Sequence, residues 1–325
     1  MPKKDNLEAC LGRLSDLRHE QDREEVRRRL GEALADRQAP LVAKAAELVE
    51  ALGFTELRSD METAFFRLLK DPLKRDKGCI GKTAVAKALL ELELPSDEVF
   101  RTGLRWIQME PSWGPPVDTA ANLRGFCAHG LVRSMHPDAV LDITPLLVDK
   151  EPIPRLGAVR ALGESGQSAA EALLRLKILT GDEELEVLAE AFGALVNLSP
   201  ERAADFVVPF LDDPDPSRVE AAALALGGSR HPSVLEPLKT RLDTALRDEI
   251  QGPLYLALSI TRLDDAVDYL VDIVADGPVG RARHALSALK IHYFKQDLRD
   301  RLRPLVEARR DSELDKIWRQ DFDVD

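Results

Sequence analysis

A leucine that recurs late in successive alanine-rich segments is the feature that most constrains this sequence. The intervals between these leucines are 37, 42, 31, 33, 31, 32 and 31 residues. Two helices of roughly 11 to 14 residues, joined by short turns, occupy about that length. The recurring leucines are Leu52, Leu89, Leu131, Leu162, Leu195, Leu226, Leu258 and Leu289. Because one such pair cannot bury its apolar face alone, the spacing predicts a stack of repeated helix pairs with a continuous core.

An aspartate precedes six of the eight leucines by thirteen residues. These aspartates are Asp76, Asp118, Asp149, Asp182, Asp213 and Asp276. A carboxylate in the turn before a helix accepts hydrogen bonds from the first, otherwise unpaired amides, and its charge complements the helix dipole. The pattern therefore predicts a capping turn before the second helix of most pairs.

Prolines also recur at fixed offsets from the leucines. Pro145 and Pro209 both lie seventeen residues before their leucine, inside the predicted first helix of a pair. Proline lacks an amide hydrogen and distorts a helix interior, so a bend is expected at both positions. The dipeptides His136-Pro137 and His231-Pro232 lie five residues after a leucine, where they predict helix starts with proline in the first turn.

The segments around Arg155–Gly163 (RLGAVRALG) and Arg218–Gly227 (RVEAAALALG) resemble the HEAT-repeat family, in particular the short bacterial HEAT-like repeats also found in phycobilisome lyases. The resemblance extends over nearly the whole chain. It implies an all-α superhelix, a HEAT-like solenoid of about eight helix pairs with terminal capping helices. We expect capping helices in residues 1–38, the repeat array in 39–293, and a capping helix with a frayed acidic tail in 294–325, all within one continuous solenoid.

The net charge and the cysteine content limit the classes of partner and the cellular compartment that we expect. The net charge is −12, which opposes nucleic-acid binding, since that depends on basic side chains that displace counterions from phosphates. The same charge disfavours an anionic membrane surface. The chain has three cysteines without a recognisable spacing, which is typical of a reducing compartment. The first residues contain no apolar signal region, and no apolar run approaches membrane-spanning length. A cytoplasmic protein is expected.

A proline-rich insertion, residues 109–117, interrupts the array between helices predicted at 96–109 and 118–134. Three prolines forbid a helix there, and Trp113 lies among turn-forming residues. Two interpretations remain open. Trp113 could anchor a partner, because tryptophan is favoured at the energetic centres of interfaces. Alternatively, it folds back over the helix ends as a local plug, as suits a chain with 5% aromatic residues.

Basic residues on the predicted second helices fall into two sets. The first, Lys82, Arg124 and Arg155, lies six residues after a turn aspartate and predicts a structural ladder of ion pairs. The residues of the second set lie two positions before or after a recurring leucine. Positions four apart share a helix face, so this spacing predicts one stripe of basic residues across three neighbouring repeats. We call this set the basic strip; its members are Lys87, His129, Arg133 and Arg160. It is a candidate site for an acidic peptide, with a solvated face balanced by Glu91 and Glu164 as the alternative.

No catalytic, cofactor or metal site is predicted. Gly81-Lys82-Thr83 lacks the earlier glycine and the strand that a phosphate-binding loop requires. Cys127 and His129 point to different sides of one helix, and Cys127 occupies an offset filled by alanine in other repeats, which indicates a core position. The remaining histidines lack metal-ligand spacing.

The leading functional hypothesis is a non-enzymatic scaffold that binds a protein or peptide on the concave face of the solenoid. The resemblance implies one alternative, a bilin lyase-like or chaperone-like subunit acting on another protein. Nucleic-acid binding, known for some HEAT-like proteins, is a further alternative that the acidic charge disfavours.

Overall fold

A computed structural model describes residues 2–245 and 248–323 of the chain. These residues are almost entirely helical, with two strands of two residues each, which confirms the all-α prediction. Contacts divide the chain into two compact units, Met1–Leu173 and Leu174–Asp325.

The first unit is a succession of helix pairs in which the second helices of neighbouring pairs pack on one another. Its helices are α1 (Pro2–Ser15), α2 (Arg23–Leu34), α3 (Ala39–Leu52), α4 (Arg58–Leu68), α5 (Pro72–Arg75), α6 (Ile80–Glu91), α7 (Asp97–Leu104), α8 (Ala121–Arg133), α9 (Ala139–Ile143) and α10 (Pro152–Glu164). The second helices α3, α6, α8 and α10 form one row. Strands β1 (Met109–Glu110) and β2 (Val117–Asp118) lie between α7 and α8. Helix α11 (Ser168–Thr180) contains the boundary between the two units.

The second unit repeats this arrangement. Its helices are α12 (Leu185–Leu198), α13 (Pro200–Val207), α14 (Pro216–Ser229), α15 (Leu235–Thr244), α16 (Asp248–Thr261), α17 (Asp264–Asp276), α18 (Val279–Leu289), α19 (Gln296–Arg309) and α20 (Ser312–Asp321). Here α12, α14, α16, α18 and α20 form the row of second helices.

The recurring leucines form the core of both rows. Seven of the eight are fully buried, from Leu89 to Leu289, and only Leu52 is partly accessible. The small alanines around them allow the helices of neighbouring pairs to pack closely. Gly157 shows how close this approach is, because a β-carbon there would lie 2.7 Å from the α-carbon of Gly125 on the neighbouring helix. The spacing of the leucines therefore predicted the core correctly.

Five of the six aspartates lie in the turn before a second helix, as predicted, but four of them bond to the turn and not to the first amides of the helix. In these four the carboxylate accepts a hydrogen bond from the amide two residues later, which precedes the helix, at 2.8 to 3.0 Å. Asp76 instead accepts bonds from the amides of Gly81 and Lys82. Asp276 is the exception, because α17 runs on to include it and its side chain is exposed.

Both internal prolines change the helix type as predicted. Helix α9 continues into a 3-10 turn, Thr144–Val148, at Pro145, and α13 continues into the 3-10 turn Val208–Asp212 at Pro209. At the second His-Pro dipeptide, a 3-10 turn begins at Pro232, and the His231 ring accepts a bond from the amide of Ser233.

The prediction of a frayed C-terminal tail was wrong for residues 319–322. Residues 312–321 form α20, which packs against α18, and Phe322 is buried with its ring stacked on Trp318. Asp311 caps this helix by accepting bonds from the amides of Glu313 and Leu314. Helices α19 and α20 therefore make a further pair, where the sequence predicted a single capping helix; Val324 and Asp325 lie outside the described residues. The division of the chain at residues 38 and 293 stays a prediction.

Candidate functional site

The insertion between α7 and α8 folds as a short β-hairpin. Strands β1 and β2 are antiparallel, with Met109 opposite Asp118 and Glu110 opposite Val117. Three prolines in the tip exclude a helix, as predicted. Ser112 braces the tip, since its hydroxyl donates to the carbonyl of Pro115 at 2.6 Å and accepts from the amide of Gly114 at 3.1 Å. The helices on either side, α7 and α8, end and begin further from the hairpin than the predicted bounds 96–109 and 118–134.

The base of the hairpin is fixed by a buried carboxylate. Glu110 accepts hydrogen bonds from the amide of Gly78 at 2.6 Å, from the Gln108 side chain at 2.7 Å and from the Thr119 hydroxyl at 3.0 Å. Burial alone would raise the pKa of Glu110, but these hydrogen bonds and the charge of Lys77 outweigh it and lower the pKa. The side chain is therefore an ionised anchor, one of whose oxygens, Oε1, accepts all three bonds from groups on both sides of the hairpin.

A second contact ties the same hairpin to the loop before α6. The Gln108 side chain donates to the carbonyl of Asp76 at 2.8 Å, and the Trp106 indole donates to Gln108 at 3.3 Å. Asp76 itself is fully buried and forms an ion pair of 2.7 Å with Lys82, which is also fully buried. The hairpin is thus attached to a buried polar network.

The predicted ladder of cations and turn aspartates is confirmed for Lys82 and Arg124. Arg124 contacts Asp118 in its own repeat at 2.7 Å and Asp149 in the next repeat at 2.9 Å. Arg155 donates to the backbone carbonyl of Asp149 at 2.9 Å. Because Lys82 is enclosed and neutralised by Asp76, it cannot serve as the lysine of a phosphate-binding loop, which agrees with the sequence analysis.

Trp113, at the tip of the hairpin, is fully exposed, with a relative accessibility of 110%. The interpretation of this residue as a plug over the helix ends was therefore wrong. Large apolar side chains around it are also exposed, among them Met109 and Val117 on the two strands. The role of Trp113 as a partner anchor stays a prediction.

The four members of the basic strip lie on successive second helices, Lys87 on α6, His129 and Arg133 on α8, and Arg160 on α10. Lys87 contacts Glu50 of α3 at 3.3 Å, where the sequence predicted Glu91 as the balancing residue. The predicted balance by Glu164 is confirmed, because this carboxylate lies 3.5 Å from His129 and 4.0 Å from Arg133. The strip is therefore partly neutralised by carboxylates of adjacent helices.

His129 adds no positive charge to the strip near neutral pH. Burial lowers the pKa of its imidazole, and the charges of Arg133 and Arg160 lower it further, against an opposing effect of Glu164. Arg133 also borders a shallow apolar cleft between the turns that follow α6 and α8, which includes Phe100 and the exposed Met135.

Two of the three cysteines are buried, and the described residues contain no cluster of metal-ligating side chains. Cys127 is fully buried in the core, as predicted, and burial raises the pKa of its thiol strongly. Burial also raises the pKa of Cys79, to about 11. Across residues 2–245 and 248–323, no three metal-ligating side chains come together. No helix in this part of the chain is long and apolar enough to cross a membrane.

Two features of the site were missed by the sequence analysis. One is the buried network of Gln108 and Glu110, for which the only signal was a carboxylate next to a proline-rich turn. The other is a group of four cations before α6, namely Lys70, Lys74, Arg75 and Lys77. The sequence shows these residues, but only the structure places their loop beside the hairpin.

Comparison with known proteins identifies the repeat type. Residues 173–255 match the family described as HEAT repeats. A search of curated proteins gives no match. Among solved structures, the chain is similar to the complex of CpcE and CpcF of phycocyanin lyase from Nostoc sp. PCC7120, with 18% identity, a TM-score of 0.39, and coverage of 79% of this chain and 94% of that chain.

A second similar structure is an engineered protein, with 16% identity, a TM-score of 0.35, and coverage of 97% of this chain and 98% of that chain. Neither likeness assigns an activity. The family match identifies residues 173–255 as HEAT repeats, and the other helix pairs of both units have the same arrangement.

Proposed function

We propose that this chain is a non-enzymatic interaction scaffold that binds a protein or peptide. The observation that carries the proposal is Trp113, a fully exposed tryptophan on a hairpin whose base is fixed by buried hydrogen bonds. Exposing an indole to water is unfavourable, whereas a tryptophan presented by a well-ordered element loses little conformational entropy when a partner covers it. HEAT repeats support the same class, because stacked helix pairs offer extended surfaces with many weak contacts.

The candidate binding residues are Trp113 and the basic strip of Lys87, His129, Arg133 and Arg160. Trp113 makes the stronger case, because Glu50 and Glu164 already neutralise part of the strip. Arg133 and Arg160 are nevertheless accessible on the surface of their helices, and Arg133 borders the apolar cleft at Met135. A partner with an acidic segment is the type that the strip would accept. No cofactor is required for binding of this kind, and the proposed setting is the cytoplasm.

The test is affinity capture from the lysate of the native host, with partners identified by mass spectrometry. Four baits are compared: the wild type, Trp113→Ala, the triple variant Lys87→Glu/Arg133→Glu/Arg160→Glu, and Arg303→Glu as a matched surface control on α19. Circular dichroism and thermal unfolding establish that each bait is folded.

A discrete protein captured by the wild type and by the control, but lost with Trp113→Ala, would support the scaffold and place its site at the hairpin. Loss with the triple variant alone would place the site at the basic strip. If the wild type captured no protein, or if it converted a small substrate added to it, the scaffold proposal would be wrong.

A further inference from the structure

We propose that the hairpin and the loop before α6 together form a docking surface for an acidic, apolar segment of a partner protein. This hairpin–loop surface comprises residues 70–80 and 109–117. The inference rests on the proposed scaffold function and adds to it a location and the chemistry of the partner. It differs from the basic strip, which lies on the second helices.

The two parts of the surface are held together by hydrogen bonds between residues about 32 positions apart. The Gly78 amide donates to Glu110 at 2.6 Å, and the Gln108 side chain donates to the Asp76 carbonyl at 2.8 Å. Both bonds are well sheltered, since Gln108 and Glu110 are buried. The loop and the hairpin therefore present their side chains from one ordered framework.

Exposed apolar side chains occur on both parts of this framework. Trp113 is fully exposed, Leu73 and Val117 are each 53% exposed, and Met109 is 49% exposed. Each such side chain would favour binding if a partner removed it from water. Single exposed apolar residues are ordinary on protein surfaces, whereas several within one short hairpin and the loop bonded to it indicate an interaction site.

The charge of the surface defines the partner. Lys70, Lys74, Arg75 and Lys77 are exposed, and none of them lies within ion-pair distance of a carboxylate in the part of the chain that the structure describes. By contrast, the exposed Arg105 of the first unit forms an ion pair with Asp142 at 2.6 Å. A run of available positive charge on a protein of net charge −12 would select a segment that carries carboxylates beside its apolar residues.

A protein segment fits this surface better than a lipid bilayer. The cations are confined to one short loop, and charge interactions in cells are screened beyond about 8 Å. A short acidic segment can contact the loop and the hairpin alone, whereas a bilayer is a broad flat surface that extends beyond them. Binding to vesicles is therefore an outcome that would contradict the proposal.

The proposal can be tested with a library of short random peptides displayed on phage and selected on the full chain. We expect the selected peptides to combine Asp or Glu with aromatic or aliphatic residues. A synthetic copy of the most enriched peptide that lacks tryptophan should bind the wild type, with an affinity that falls as salt is added. Trp113→Ala and Lys70→Glu/Lys74→Glu should each weaken it by at least about tenfold.

Two matched controls should leave the affinity unchanged: Phe294→Ala, an exposed aromatic residue of the second unit, and Arg303→Glu. Tryptophan fluorescence gives a direct second measurement. Peptide binding should shift the emission of the wild type to shorter wavelength, and this shift should vanish in Trp113→Phe, which retains the fold because the side chain contacts solvent only.

Several outcomes would overturn the proposal. They are selection of basic or uncharged peptides, no selection at all, equal binding by the hairpin–loop variants, and Trp113-dependent binding to vesicles of phosphatidylcholine and phosphatidylserine in equal parts. The experiments distinguish an error in the hairpin–loop surface from an error in the proposed scaffold function. A partner captured from lysate with undiminished yield by Trp113→Ala would leave the scaffold standing and remove this surface as its site.

Discussion

Glu110 accepts a hydrogen bond of 2.6 Å from the amide of Gly78, 32 residues earlier in the chain, and this bond joins the hairpin to the loop of the preceding repeat. Gly78 adopts a left-handed conformation with φ of 75°, which glycine tolerates at little cost. The position of Trp113 in space thus depends on a carboxylate that itself never reaches the surface.

Glu110→Ala should loosen the base of the hairpin. Three donors would lose their acceptor, and a buried donor without a partner costs roughly 1 to 3 kcal/mol. We expect faster hydrogen exchange at the Gly78 amide and a lower midpoint of urea unfolding. Glu56→Ala, at an exposed position of the same unit, is the control; equal exchange rates at Gly78 in both variants would contradict the anchoring role.

Stability should fall in acid partly through Asp118. Burial raises the pKa of this carboxyl, but the amides of Ala120 and Gln108 and the guanidinium of Arg124 outweigh that effect and lower the pKa. A lowered pKa in the folded state contributes stability above the unfolded value of about 3.9, and this stability is lost as the pH falls through the folded pKa.

Urea unfolding at pH values between about 7 and about 3 measures this contribution. Asp118→Asn should be less stable than the wild type near neutral pH and should lose less stability in acid. Asp60→Asn, an exposed control, should follow the wild-type curve. Parallel curves for Asp118→Asn and the wild type would show that the carboxylate contributes nothing through its charge.

His129 should titrate below the ordinary histidine value of about 6.5. Burial is the main cause, and the charge of Glu164 opposes it, so Glu164→Gln should lower the pKa further. Because the folded pKa is lowered, the stability linked to this residue is present above the unfolded pKa and is lost as the pH falls below it. NMR titration of the imidazole measures both pKa values, and a pKa at or above the ordinary value would refute the burial of the ring.

Two adjacent glycines on α14 should respond differently to substitution. A β-carbon at Gly227 would collide with the backbone of Ala257 on α16, whereas a β-carbon at Gly228 would meet no atom. Gly227→Ala should destabilise by about 1 to 3 kcal/mol through overpacking. Gly228→Ala should be neutral or stabilising by up to about 1 kcal/mol, because alanine favours helix. Thermal unfolding compares the two, and equal midpoints would refute the close approach of these helices.

Much of the repeat architecture could be predicted from the sequence because it follows from the regular spacing of residues along the chain. Leu89 and six equivalent leucines are buried for the same reason, namely that a helix presents one apolar face to its neighbours. The turn aspartates could be predicted equally well, because Asp118 and Asp149 each accept a hydrogen bond from an amide only two residues away. The ninth pair was missed because α20 lacks the leucine that marks the others.

The sequence by itself therefore determined the helices, the caps and the core of this protein, because the interactions that form them lie within a few residues or recur at a fixed spacing. Only the tertiary structure decided that Trp113 faces solvent, that Glu110 anchors the hairpin, and that Lys87 contacts Glu50. These relationships join residues from different repeats. They depend on the angle and register at which one helix packs on the next, and no local pattern specifies those quantities.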